Sequence, residues 1–178
     1  DVQNAQLTLD VIKDLLGEDL KDEQASIISN LVRDLCKEPA PSMKRLITKI
    51  GRHELGSVRA IATKLELLFS SPTAQILVYD RKTEKKTLNI KDGITIINMS
   101  ALTLPTQGKP LSECTSEEKI SLVIISLLNR LIKDIMFNIP VNIPKFLMID
   151  EAWSVVSLPS SRNMIKEVLR SEEHTSEN

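Results

Sequence analysis

The sequence predicts an α/β protein in which an all-helical stretch precedes a parallel sheet with flanking helices. Three observations carry that expectation. Apolar residues recur at spacings of three and four from Leu7 to about Phe69, and beyond Ser70-Ser71-Pro72-Thr73 they gather instead into short continuous runs. A long helix signal opening at Thr115 is then followed by an apolar run that ends in two acids.

In the first stretch the periodic residues are Val11 and Leu15; Ile27, Ile28, Leu31, Val32 and Leu35; Leu46, Ile47 and Ile50; Ile61, Leu65 and Leu68. They predict about four short amphipathic helices, broken at Gly17 and at Pro39-Ala40-Pro41-Ser42, with Ser42 placed to cap a helix that begins at Met43. After the Ser-Ser-Pro-Thr break, Ile76 to Tyr79, Thr87 to Ile90 and Ile94 to Ile97 read as strands. The charged segment Asp80 to Lys86 between the first two reads as a turn or solvated loop. Thr115 and Glu118 stand at capping-box spacing, with acids near the positive end of the helix dipole. The helix they start carries a broad stripe of Ile120, Val123, Ile124, Leu127, Leu128, Leu131, Ile132 and Ile135. Pro140 and Pro144 end it, and Phe146 to Ile149 then completes a strand, helix, strand order in which a continuously apolar strand suits a parallel sheet.

Composition narrows the function. The chain has 178 residues, 42% hydrophobic and 26% charged, the make-up of a soluble globular domain. A formal net charge of −1 gives no electrostatic reason to expect nucleic acid or an anionic membrane as main partner, and five aromatic residues leave little for base stacking. Cys36 and Cys114 are far apart and form no CxxC pair, so neither a disulfide framework nor a zinc site is indicated and a reducing, cytoplasmic setting fits. The most apolar stretch, Ile120 to Phe137, contains Asn129, Arg130, Lys133 and Asp134 and is too polar to span a membrane. The chain opens on Asp1 in mid-pattern, which reads as a truncation.

Asp150 and Glu151 carry the chemistry. They close KFLMIDEAW, residues 145 to 153, and in a parallel sheet ligands sit beyond the carboxyl ends of the strands. Four apolar residues followed by Asp-Glu is the Walker B pattern. There the aspartate orients Mg²⁺, usually through its water shell, and the glutamate polarises the water that attacks the γ-phosphate of ATP. Two acids are needed because one neutralises metal charge while the other stays free to take a proton. Trp153 either packs under the following loop and supports the two acids or makes an inter-subunit contact. Lys145 and Arg162 read as solvated.

With Ile149 before it and Val155-Val156 after it, the DEAW segment resembles the motif of the conjugative-transfer ATPases of type IV secretion systems, the VirB-four and TraC group. Ile94 to Pro105 resembles the strand and "NLxGLxLP"-like turn before the long helix in Gram-positive members, and the helical first half is similar to the insertion those proteins carry. The resemblance implies a partial RecA-like P-loop NTPase core over residues 70 to 169, with residues 1 to 69 as an all-α subdomain. It further implies ATP and Mg²⁺ as cofactors, other secretion components as partners and a homo-oligomer, with a hexamer one option. The location implied is the cytoplasmic face of the cell membrane. DNA stays open as a partner, although charge does not indicate it.

This sequence departs from that pattern in several places. No GxxxxGK loop followed by Ser or Thr occurs in it, and on the resemblance that loop would belong before Asp1. The arginine-rich segment and glutamine-bearing sensor strand that follow in the family are also missing. The chain ends instead in RSEEHTSE from Arg170, which resembles a translated sequencing adapter, so native sequence is expected to stop at about Leu169. That removes His174 and Arg170 from any site and leaves His53, too little for a Ser-His-Asp reading. Two alternatives stand beside the secretion motor: a DNA-translocating ATPase of the HerA and FtsK kind, and a non-catalytic helical interaction module whose acids cap a helix.

Overall fold

Helix periodicity in the first seventy residues is met by four helices in the computed structural model, which describes residues 2–78, 93–140, 142–144 and 146–148. They are α1 (Val2–Leu16), α2 (Asp22–Cys36), α3 (Met43–Gly51) and α4 (Gly56–Leu68). The chain divides into two compact units, Asp1–Thr103 and Leu104–Asn178.

Local chemistry fixes where these helices start and stop. Gly17 ends α1: its N–H donates to the Lys13 carbonyl at 2.8 Å while its φ of 70° takes the left-handed turn that a residue with a Cβ resists. The Gln24 side chain reaches back to accept the Lys21 N–H at 3.0 Å, and its amide donates to the Ser57 carbonyl at 3.2 Å, tying the start of α2 to the first turn of α4. Ser42 caps α3 by accepting the Arg45 N–H at 3.3 Å, as the sequence predicts. In the α3 to α4 connection, His53 Nδ1 accepts the Leu55 N–H at 3.2 Å, and Arg59 donates to the carbonyls of His53 and Glu54 at 3.1 and 2.7 Å.

The apolar faces then close on one another: α1 packs on α2, α2 on α3, α3 on α4, and α4 returns to α1. Ile12, Leu15, Ile28, Leu46, Ile50, Val58 and Leu65 are fully buried between them. Burial of that kind stabilises by about 1.5–3 kcal/mol per large side chain, which is how helices of 9 to 15 residues hold together when each alone would be marginal. After α4, Pro72 opens a 3₁₀ turn, Thr73–Leu77, in which Ala74 is buried and the Gln75 amide donates to the Phe69 carbonyl at 2.9 Å.

In the second unit a short 3₁₀ turn, Leu111–Glu113, leads into α5 (Ser116–Asn138). The first half of α5 is buried on more than the expected stripe, since Ser121, Leu122 and Ile125 are inaccessible along with Ile120 and Val123. Along the second half, Leu131 and Phe137 are exposed. Among the described residues no helix is long and apolar enough to cross a membrane.

The expected parallel sheet, and with it the RecA-like core, is overturned, because the described residues contain helices and turns and no strand. Ile76 lies in the 3₁₀ turn and is exposed, while Ile94 and Ile96 are 94% and 87% exposed in chain that belongs to no helix or strand. Phe146 to Met148 likewise form no strand, with Phe146 85% and Met148 80% exposed. Tyr79, Thr87 to Ile90, the loop Asp80 to Lys86 and Ile149 fall outside the described residues. The physical reason is that a strand exists only through its ladder. An apolar run without a neighbour to take its N–H and C=O groups has no reason to settle as β structure.

Candidate functional site

The residues that the sequence singles out, Asp150, Glu151 and Trp153, lie outside the described residues, as do Lys145, Arg162, Arg170 and His174. Before them in sequence is α5, and its first turn holds a polar cluster among the described residues of the second unit. There Thr115 accepts the Glu118 N–H at 3.3 Å, and the Glu118 carboxylate takes the Thr115 N–H at 2.6 Å. This capping box stands where the sequence predicts it.

The sequence reading did not anticipate the third member of the cluster. Lys109 Nζ donates to both Glu118 oxygens, at 2.7 and 3.0 Å, and the pair is largely covered, with 25% of the Lys109 side chain and 10% of the Glu118 side chain exposed. A turn aims the lysine. The Lys109 N–H closes on the Thr106 carbonyl at 3.1 Å with Gly108 at φ 83°, a value suited to glycine at that position of a turn. The signal available in the sequence was Gly108-Lys109 shortly before a capping box, and spacing alone does not reveal such a contact.

The electrostatics follow from the contacts. The Lys109 ammonium, and after it the Thr115 N–H, holds the Glu118 carboxyl below the ordinary carboxylate range, and the same carboxylate holds Lys109 above the ordinary lysine range. Burial pushes the Cys114 thiol up. That thiol donates to the Pro110 carbonyl at 3.4 Å and packs with Leu111 and Leu122, so it is built in as a small apolar side chain rather than a poised nucleophile. Further along α5, Asn129 is buried, and its side-chain nitrogen has no hydrogen-bond partner among the described residues. No group of three or more His, Cys, Asp and Glu side chains among the described residues is arranged to hold a metal ion. His53 is occupied in the α3 to α4 connection.

Comparison with known families adds what geometry alone does not reach. An AAA-like domain matches residues 2–175, nearly the whole chain and both of its units. The protein is therefore of the ATPase, nucleotide-binding class at a coarse level, and it belongs to the AAA-like domain family. No curated protein and no solved structure matches the chain.

Proposed function

We propose that this chain is part of an ATP-hydrolysing motor that energises transfer through a type IV secretion or conjugation apparatus, with Asp150 and Glu151 as its metal-side and water-side acids. The observation that carries the reading is the AAA-like domain match over residues 2–175, which includes KFLMIDEAW. Two adjacent carboxylates are hard oxygen donors of the kind Mg²⁺ takes. Asp150 would help hold the ion, which would supply charge neutralisation on the nucleotide phosphates, and Glu151 would accept the proton of the attacking water. Trp153 supports the pair in this reading. Assembly into a homo-oligomer and a position at the inner face of the cell membrane belong to the same proposal.

Hydrolysis also needs a phosphate cradle, which the GxxxxGK-Ser/Thr loop supplies in such proteins and which these 178 residues lack. The test therefore uses a protein that carries this chain together with such a loop. Glu151→Gln keeps shape and hydrogen bonding but cannot take a proton, so nucleotide should still bind while turnover falls about 10²–10⁴-fold. Asp150→Asn should weaken Mg²⁺-dependent nucleotide binding itself, read with a fluorescent ATP analogue. Turnover of Glu151→Gln within about twofold of the unsubstituted protein, where a positioned base is worth at least about a hundredfold, would reject the assignment. The absence of strand among the described residues favours a second reading, a non-catalytic helical interaction module. In that case neither substitution changes nucleotide binding.

A further inference from the structure

The overall charge of −1 hides a local asymmetry in the first unit. Between Pro41 and His53 stand Lys44, Arg45, Lys49 and Arg52, with no acid among them. Because α3 turns Leu46, Ile47 and Ile50 into the bundle, the helical period brings Lys44, Thr48 and Arg52 into one outward line, with Arg45 and Lys49 beside it. The face already shows how it treats an anion. Arg45 and Lys49, one turn apart, converge on the two carboxylate oxygens of Glu38, with Lys49 Nζ at 2.8 Å. Lys44 and Arg52 are exposed and make no ion pair among the described residues. Of the other acids nearby, Asp34 is paired with Lys37 at 2.9 Å, and Glu54, two residues beyond Arg52, is exposed and makes no ion pair among the described residues.

We propose that this face of α3 binds the phosphate backbone of double-stranded nucleic acid, with Glu38 as a built-in competitor for two of its four cations. The inference does not depend on the ATPase reading. Eight residues of helix separate Lys44 from Arg52, about 12 Å of rise, and a duplex presents about one charge per 1.7 Å, so a rigid line of cations meets several phosphates at once. A membrane fits less well, because the apolar side of α3 is already used in the bundle and none is left to insert. Single strands fit less well because no aromatic residue lies between Met43 and Arg52 to stack on a base. An acidic peptide would exchange one carboxylate for another at Arg45 and Lys49, whereas a duplex adds the release of condensed counterions.

The experiment is fluorescence anisotropy of the 178-residue chain with a labelled duplex of about 20 base pairs, two helical turns, over a series of salt concentrations. With Lys44 and Arg52 free, the slope of log affinity against log salt should be about −2, and Glu38→Gln, by releasing Arg45 and Lys49, should tighten binding and steepen the slope to about −4. Lys44→Glu combined with Arg52→Glu should abolish binding, and Lys64→Gln on α4 should leave it unchanged. Circular dichroism on each variant separates a charge effect from unfolding. Should the double substitution disturb the helices, Arg52→Gln alone, expected to reduce the slope by about one, takes its place. Binding and slope unchanged in Glu38→Gln would overturn the proposal. So would displacement of the duplex by poly-glutamate or anionic vesicles at equal charge concentration.

Discussion

The helices of residues 2–68 alternate apolar and polar residues while the segments of residues 94–97 and 146–148 are almost wholly apolar, yet the first are folded into a closed core and most of the second stands exposed. The difference lies in where each finds its hydrogen-bond partners. A helix satisfies its backbone within itself and needs only a neighbouring apolar stripe, which α1 to α4 supply for one another. An extended segment needs another strand beside it, and none stands among the described residues.

The largest effect that tests this contrast comes from truncating one side chain in each region. Leu65 is fully buried on α4, so Leu65→Ala should cost about 2–5 kcal/mol, combining lost transfer energy with the cavity left behind. Phe146→Ala, at a residue 85% exposed, should stay within about 0.5 kcal/mol. Urea denaturation of both variants reads the difference directly. A cost at Phe146 comparable to that at Leu65 would mean that the 146–148 segment is packed in solution, and the contrast drawn here would fail.

Legibility in the sequence divides along the same line. Ser42 before Met43 and Thr115 three residues before Glu118 could be read in advance because a cap involves residues a turn apart, and both are found in place. Gly17 ended a helix for a reason equally local. The strands at Ile76, Ile94 and Phe146 were misread because a short apolar run carries no record of whether a partner will lie alongside it. The Lys109 to Glu118 contact was missed because a lysine at surface spacing gives no sign that a turn will fold it onto a carboxylate nine residues on. Asp150 and Glu151 were legible as a chemical pattern, and they lie outside the described residues.

An intermediate effect is expected at the start of α5, where the capping box and an ion pair meet. Thr115→Ala removes one half of the capping box and should cost about 1 kcal/mol, appearing as faster amide exchange over the first turn of α5 while α1 to α4 are unchanged. The ion pair behind the cap adds a pH signature. Glu118 titrates lower in the folded protein than unfolded, so its contribution is complete above the unfolded carboxylate pKa and is lost as pH falls through the folded one. Lys109 is raised, so its contribution is complete below the unfolded lysine pKa and lost as pH rises through the folded one. Protection of the amides at the start of α5, taken relative to the intrinsic exchange rate, should therefore fall at both pH extremes. Glu118→Gln should remove the acid limb, and a variant that retains it would assign that limb to other carboxylates.

The smallest effect, that of Gly51→Ala, probes how tightly the bundle closes. Gly51 ends α3 against α4, and a Cβ placed on it would stand 3.4 Å from the Ala62 Cβ, the near edge of ordinary contact. Its backbone is helical, so a side chain meets no conformational penalty there, and Gly51→Ala should reduce the entropy of the unfolded chain by enough to stabilise by about 0.4–1 kcal/mol. The contact opposes further growth. Gly51→Val adds two methyl groups that have to displace Ala62 or tilt α3, an overpacking that should cost about 1–3 kcal/mol. The sign change between alanine and valine is the informative quantity, and urea midpoints at constant slope measure it. Equal tolerance of both residues would mean that α3 and α4 stand further apart than described, with the bundle closed by its larger side chains alone.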